Sequence, residues 1–362
     1  MTVDLLASLR EGLSDDPSAT RPSGIEIRQD LLPAGGMPVQ PPSYADPLEI
    51  HKRYIDGEPR DAIELDSIGS AANRLEELLL DLYGSGGYPL PVSSTTVTPS
   101  EGEPIAITTL EMPHRVFDAW LRLSDAQDGD GTFEDSGHGQ ELSFAHMGAL
   151  DALLETSAHD LLLGVWDSHR KGPHGQVRIG RSLTTSLIGL DPIEQTRLAA
   201  RRDPLNLGEA SDPPKGAKKL SEQGLSSIPP QRMRGGVAIT EARYIGFLSF
   251  ASLRRLGFKR YDQVEVRVVL ALLGLHALTL RCAAGWDLRA QCALVTRDEP
   301  QFEIVGPRGR RDAFTLSVEE SEALLRAASE RVGLTDRGVR LDAGATLNDL
   351  VNRAVTSAKN AA

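Results

Sequence analysis

Cationic side chains recur where this chain's helices and turns should begin. Asn73-Arg74 stands at the start of a helix that follows a strand ending near Leu65. His114-Arg115 opens the segment Val116–Arg122, Arg170-Lys171 sits in the turn Trp166–Gly175, and Arg178 and Arg181-Ser182 flank Gly180. Free backbone N–H groups at a helix start, beside a glycine that permits close approach, suit phosphate oxygens. Each residue alone reads more readily as an exposed ion pair; the same arrangement repeated shifts the balance modestly toward a polyanion. A second group, Lys218, Lys219, Arg232 and Arg234, lies in residues 201–236, which also hold five prolines and no sustained period. Such a stretch inside a compact domain is either functional or disordered. Its lysines and arginines make it a candidate arm that reaches for a partner.

The charge distribution bears on the same question. The chain has 362 residues and a formal net charge of -12, which by itself argues against nucleic acid. Yet residues 1–160 carry 9 basic and 29 acidic side chains, while residues 161–260 carry 17 basic and 8 acidic. A basic middle third in an acidic protein fits one polyanion-binding face, and fits equally a solvated surface paired with acids elsewhere.

Other chemistry is missing its residues. No G-x-x-x-x-G-K loop and no G-x-G-x-x-G after a strand occur, and Gly84-Ser85-Gly86-Gly87 reads as a turn. The acidic loop Asp125–Gly131 misses the calcium frame, because Ala126 and Gly137 would fall on the first and twelfth ligand positions. His138, His146 and His159 lack metal-ligand spacing, and Cys282 and Cys292 are too few for a zinc or disulfide framework. Gly180–Thr184 lacks the second glycine of a serine nucleophile elbow. Gly246-Phe247-Leu248-Ser249-Phe250 echoes the aromatic strand of an RNA recognition motif, and a helix entry explains it as well. No catalytic residue, metal site or cofactor is expected. An acidic residue at Asp4 and no apolar run after it argue against a signal peptide. The apolar run Val264–Leu280 is broken by Glu265, Arg267 and His276, so no membrane span and a cytoplasmic protein are expected.

The elements that must position these residues follow from periodicity. Residues 1–60 read as a short amphipathic start followed by extended, turn-rich chain. Ala62–Asp66 alternates like a strand, and a helix follows through Leu75, Leu78, Leu79 and Leu82, with Ser70 as N-cap and Gly84 as stop. Ile105–Thr108 is a strand, Ala145–Ala158 a helix, and Leu161–Trp166 a short buried strand. Leu248–Leu256 is a short helix, Val264–Cys282 a buried helix or strand pair, and Gly285–Val295 a strand. Ser317–Glu320 is a capping box opening a helix to Gly333, and a last helix runs from Thr346 to about Lys359. Strand and helix signals interleave without a βαβ rhythm, which predicts an α+β fold.

Leu65-Asp66-Ser67-Ile68-Gly69-Ser70-Ala71-Ala72-Asn73-Arg74-Leu75-Glu76 resembles the D-S-x-x-S-x-A-N-R-L/M-E signature of a CRISPR-associated family. This is the RAMP-superfamily backbone subunit (Cas-seven type) of the type I-U, or type I-G, effector complex, Cascade. Collinear echoes follow at Pro113-His114-Arg115, Gly164-x-Trp166-Asp167-Ser168, Arg181-Ser182-Leu183, Lys219–Gly224 with Ile228-Pro229-Pro230, and Leu253–Leu256. The resemblance spans roughly residues 60 to 295. It implies an RNA-recognition-motif-like (ferredoxin-like) palm with long insertions, including a thumb-like β-hairpin arm. Residues 1–200 would be the first part of the palm with an N-terminal extension and a finger-like insertion, 201–236 the arm, and 237–362 the second part with C-terminal helices. It implies a non-enzymatic role in antiviral defence. Copies would stack in a helical filament along the guide RNA (crRNA), hold it for pairing with target DNA, and bind other effector-complex subunits. The RNA contacts implied are Asn73, Arg74, His114, Arg115, Arg170, Lys171, Arg178, Arg181, Ser182, Lys218, Lys219, Arg232 and Arg234. Two rivals remain at this stage: a RAMP-type endoribonuclease with His114 or His169 as general base, and a scaffold protein that binds no nucleic acid.

Overall fold

The computed structural model describes residues 4–16, 21–42, 48–100, 102–127, 131–168, 175–205, 227–335 and 338–361. The strands in chain order begin with β1 (Gly24–Pro33), β2 (Ile50–Ile55), β3 (Glu58–Asp66), β4 (Ser94–Val97) and β5 (Ile105–Thr108). The middle of the chain adds β6 (Val165–Trp166), β7 (Arg178–Ile179), β8 (Leu183–Leu190), β9 (Ile193–Arg201), β10 (Ile228–Ala238) and β11 (Glu241–Ser249). The last part adds β12 (Trp286–Asp287), β13 (Ala293–Thr296), β14 (Gln301–Val305), β15 (Arg311–Phe314) and β16 (Arg340–Asp342).

Alternation decides which face of each strand is covered. In β1, Ile25, Ile27 and Leu31 are buried; in β8, Leu183 and Leu187; in β11, Ala242, Tyr244 and Leu248. These side chains share one side of a nine-stranded sheet whose order is β12-β13-β1-β11-β8-β3-β2, with β14 also beside β1 and β15 outside β14. Within it, β14, β1, β11 and β8 are each antiparallel to their neighbours. Chain containing helices joins β1 to β8 and β11 to β14.

The helix Gln263–Ala283 fills the core beneath that face, with Val266 and the run Val268–Leu273 buried. Asp262 caps it, accepting from Val264 N at 2.9 Å and Glu265 N at 3.0 Å. It is long and apolar enough to cross a membrane, but 89% of its most apolar window is packed inside the protein. Arg267, 2% exposed, is tolerated there because its guanidinium donates to Leu256 O, Leu13 O and Asp15. A smaller apolar cluster, Ile55, Ala62, Ile188 and Leu190, sits on the sheet's other side. The three-stranded group β16-β4-β5 and the ribbon β6-β7 lie apart from the main sheet.

The α+β class holds, while several local expectations are corrected. The helix after β3 runs Ile68–Gly84 and is capped by Ser67, not Ser70, since Ser67 accepts from Ser70 N at 3.3 Å. Ala145–Ala158 is not one helix: Asp151–Thr156 and Ala158–Leu163 are separate, with Ser157 (φ -159) extended between them. The apolar run Leu161–Trp166 is therefore divided, Leu161–Leu163 ending the second helix and Val165–Trp166 forming β6, an ambiguity that periodicity alone does not resolve in an apolar run. Val264–Cys282 is the single core helix. Gly285–Val295 divides into β12 and β13. The capping box at Ser317 and Glu320 is formed, and its helix ends at Gly333 with φ 73.

Candidate nucleic-acid interface

Two surfaces gather the cationic residues. The first is the ribbon β6-β7. A two-stranded ribbon cannot bury both faces, and Trp166 is left 52% exposed. The Arg178 guanidinium carbon stands 5.4 Å from the ring centroid of Trp166. Gln176 fixes the indole, accepting from Nε1 at 3.3 Å and donating to Ser168 O at 3.1 Å. Arg181 follows, exposed, over Gly164 (φ 85), where a Cβ would come within 3.0 Å of the Arg181 side chain and backbone. An exposed ring with a guanidinium group over it suits a nucleobase beside its phosphate.

The second surface is the hairpin β9-β10, which leaves the body at Leu190 and returns at Glu241. Its register sets Arg232 opposite Leu198 and Arg234 opposite Thr196. Leu198 is 80% exposed, and Arg234 pairs with Glu194 at 3.2 Å. The base is pinned by a bridge between Val39 and Val237, with N···O distances of 2.8 and 2.7 Å.

The remaining predicted residues are placed otherwise. Asn73 and His114 are exposed, and the His114 backbone N donates to Asp118 Oδ2 at 3.0 Å. Arg74 faces inward, 3.2 Å from Asp66, and donates to Leu288 O at 2.9 Å. Arg115 is a correction to the surface picture: it takes the left-handed region (φ 52) and donates to both Glu76 oxygens, at 2.6 and 3.0 Å, and to Gly164 O at 2.9 Å. Ser182 is likewise buried, 2% exposed. Arg74, Arg115 and Ser182 thus hold the ribbon and helix that present their exposed neighbours. Arg170, Lys171, Lys218 and Lys219 lie outside the described residues.

Around Arg115 is a buried polar cluster that the sequence reading missed. Glu76, His159 and Asp160 lie close enough to offer ligand atoms to one cation. Both Glu76 oxygens, however, are already taken by Arg115, whose positive charge would sit against any metal. Burial pushes the Asp160 carboxyl up to about 8 and holds the His159 ring down at about 3. Near neutrality the Arg115–Glu76 pair is thus the charged centre, with a protonated Asp160 accepting from Val116 N at 3.0 Å. The legible signal was Glu76 itself, an acid on the helix stripe of Ala72, Leu75 and Leu79. A carboxylate in an apolar stripe requires a buried cation.

Sequence comparison gives one match over part of the chain. Residues 25–193 match the model of the family described as CRISPR-associated protein GSU0053. Over that segment the chain is similar to this CRISPR-associated family. No curated protein matches the chain. The crystal structure of Thermofilum pendens Csc2 is 10% identical, with 98% of this chain and 85% of that chain covered, at a TM-score of 0.32. A likeness that low carries no argument.

Proposed function

We propose that the protein is a backbone subunit of a type I-U/I-G Cascade. It stacks in copies along the guide RNA spacer in the cytoplasm and holds it for pairing with target DNA, without cleaving either strand. In this reading the strand order β14-β1-β11-β8, with helices on both crossovers, is the ferredoxin-like palm, and the hairpin β9-β10 is the thumb. The observation that carries it is the exposed Trp166 with Arg178 over its ring, on a ribbon followed by the exposed Arg181. Those groups suit backbone and base-face contact without reading base edges, as a holder of any spacer requires.

Guide retention measured across salt concentrations tests this. Arg178→Ala and Arg181→Ala should each lower the slope of log affinity against log salt by about one. Trp166→Ala should weaken binding about tenfold for every spacer, with the slope unchanged. Unaltered slopes in both arginine variants would remove the phosphate role.

A further inference from the structure

The side of the main sheet away from the core helix is not flat. It forms a cleft of about 650 Å³ whose lining includes Arg28, Arg53, Tyr54, Arg243, Ile245 and Phe247. The strand beneath it reads Arg243-Tyr244-Ile245-Gly246-Phe247-Leu248-Ser249-Phe250. The aromatic strand of RNA recognition motifs follows K/R-G-F/Y-G/A-F-V-x-F/Y, which this strand meets at its first, fourth, fifth and eighth positions. The structure sorts the residues as that pattern demands: Arg243, Ile245 and Phe247 line the cleft, while Tyr244, Leu248 and Phe250 are buried on the core side.

The ring of Phe247 is seated by design of the neighbouring strand. A Cβ on Gly24 would come within 2.6 Å of it, so only glycine leaves room for the ring against β1. Tyr54, 80% exposed, brings a second ring to the same cleft. The lining holds four arginines against two carboxylates, Glu26 and Asp56. Arg28 and Arg243 are committed to Asp30 and Asp56, and Arg311 to Glu26 and Glu303. Arg53 differs: it donates to His51 Nε2 at 3.0 Å and has no carboxylate partner among the described residues.

We propose that this open sheet face holds one unpaired nucleotide of single-stranded RNA, its base stacked on Phe247 with Tyr54 as the second ring and its phosphate at Arg53. The cleft shares no residue with the Trp166 ribbon, so the two surfaces can be tested apart.

The test uses the full chain and an eight-nucleotide RNA carrying 4-thiouridine, with binding by fluorescence anisotropy and crosslink sites mapped by mass spectrometry. Crosslinks to Tyr54 or Phe247 are expected. Tyr54→Ala and Phe247→Leu should each weaken binding about tenfold, Phe247→Tyr should not, and Arg53→Ala should lower the salt slope by about one. Tyr54 is exposed, so its variant reads binding without a folding defect. Wild-type affinity in both aromatic variants would overturn the assignment, as would crosslinks confined to the Trp166 ribbon and hairpin, which would leave the proposed function standing. Failure of the wild-type chain to bind RNA at all would overturn both.

Discussion

Arg115 has side-chain exposure of 13% and Glu76 of 7%, so removing either partner strands a charge in the interior. Arg115→Ala should cost about 3 kcal/mol or more of unfolding free energy, measured by urea titration. At a temperature where the variant stays folded, a direct phosphate contact would show as a lowered salt slope, and none is expected. His159 and Asp160 set a pH signature. His159 is held low at about 3, so its contribution is present above its ordinary value near 6.5 and is lost as pH falls toward 3. Asp160 is held high at about 8, so its contribution is present below its ordinary value near 3.8 and is lost as pH rises through 8. The two oppose each other between about 4 and 6.5, and only Asp160 acts between about 6.5 and 8. The melting temperature should therefore fall across that upper window, and Asp160→Asn should flatten the fall; an equal fall in the variant would contradict the assignment. Sequence placed Arg115 at an element boundary correctly but not its direction. A left-handed residue turns the side chain inward, and nothing in the types of its neighbours announces that conformation.

At the scale of elements, the hairpin depends on its junction with the body. Gly236 has φ 93, and a Cβ there would lie 2.8 Å from Val39 O. Gly236→Ala should cost about 1–3 kcal/mol and speed amide exchange at Val237 while leaving β1 and β11 protected. Unchanged exchange at Val237 would mean that the junction tolerates the methyl group. Helices with caps were legible: Ser317 with Glu320, Gly333, and the stripe through Leu75 and Leu79 all announced themselves locally. The arm strands were not. Pro229-Pro230 reads as a strand breaker, but in a two-stranded ribbon each strand is an edge, and the register shift between Ile228 and Gln231 accommodates the pair.

For the whole molecule, the sequence disclosed the class but not the strand order, because pairing such as Ile27 with Gly246 joins residues that share no local pattern. The basic middle third was visible as composition, yet part of it is taken up by carboxylates of the same chain: Arg243 on the buried Asp30, Arg260 on Glu141 and Glu155 at the surface. Only the structure separates these from the outward Arg178, Arg181 and Arg232. If copies stack along a guide, particle mass by light scattering should rise in steps with spacer length and collapse after ribonuclease treatment. A constant mass would refute stacking. The hairpin's two legs also join β8 and β11, which pair over Leu183–Leu190 and Glu241–Leu248, with the left-handed Asp191 (φ 51) turning the chain at one junction. A pull along that leg therefore reaches the ladder through a bent junction, so the junction yields before the ladder's bonds are loaded.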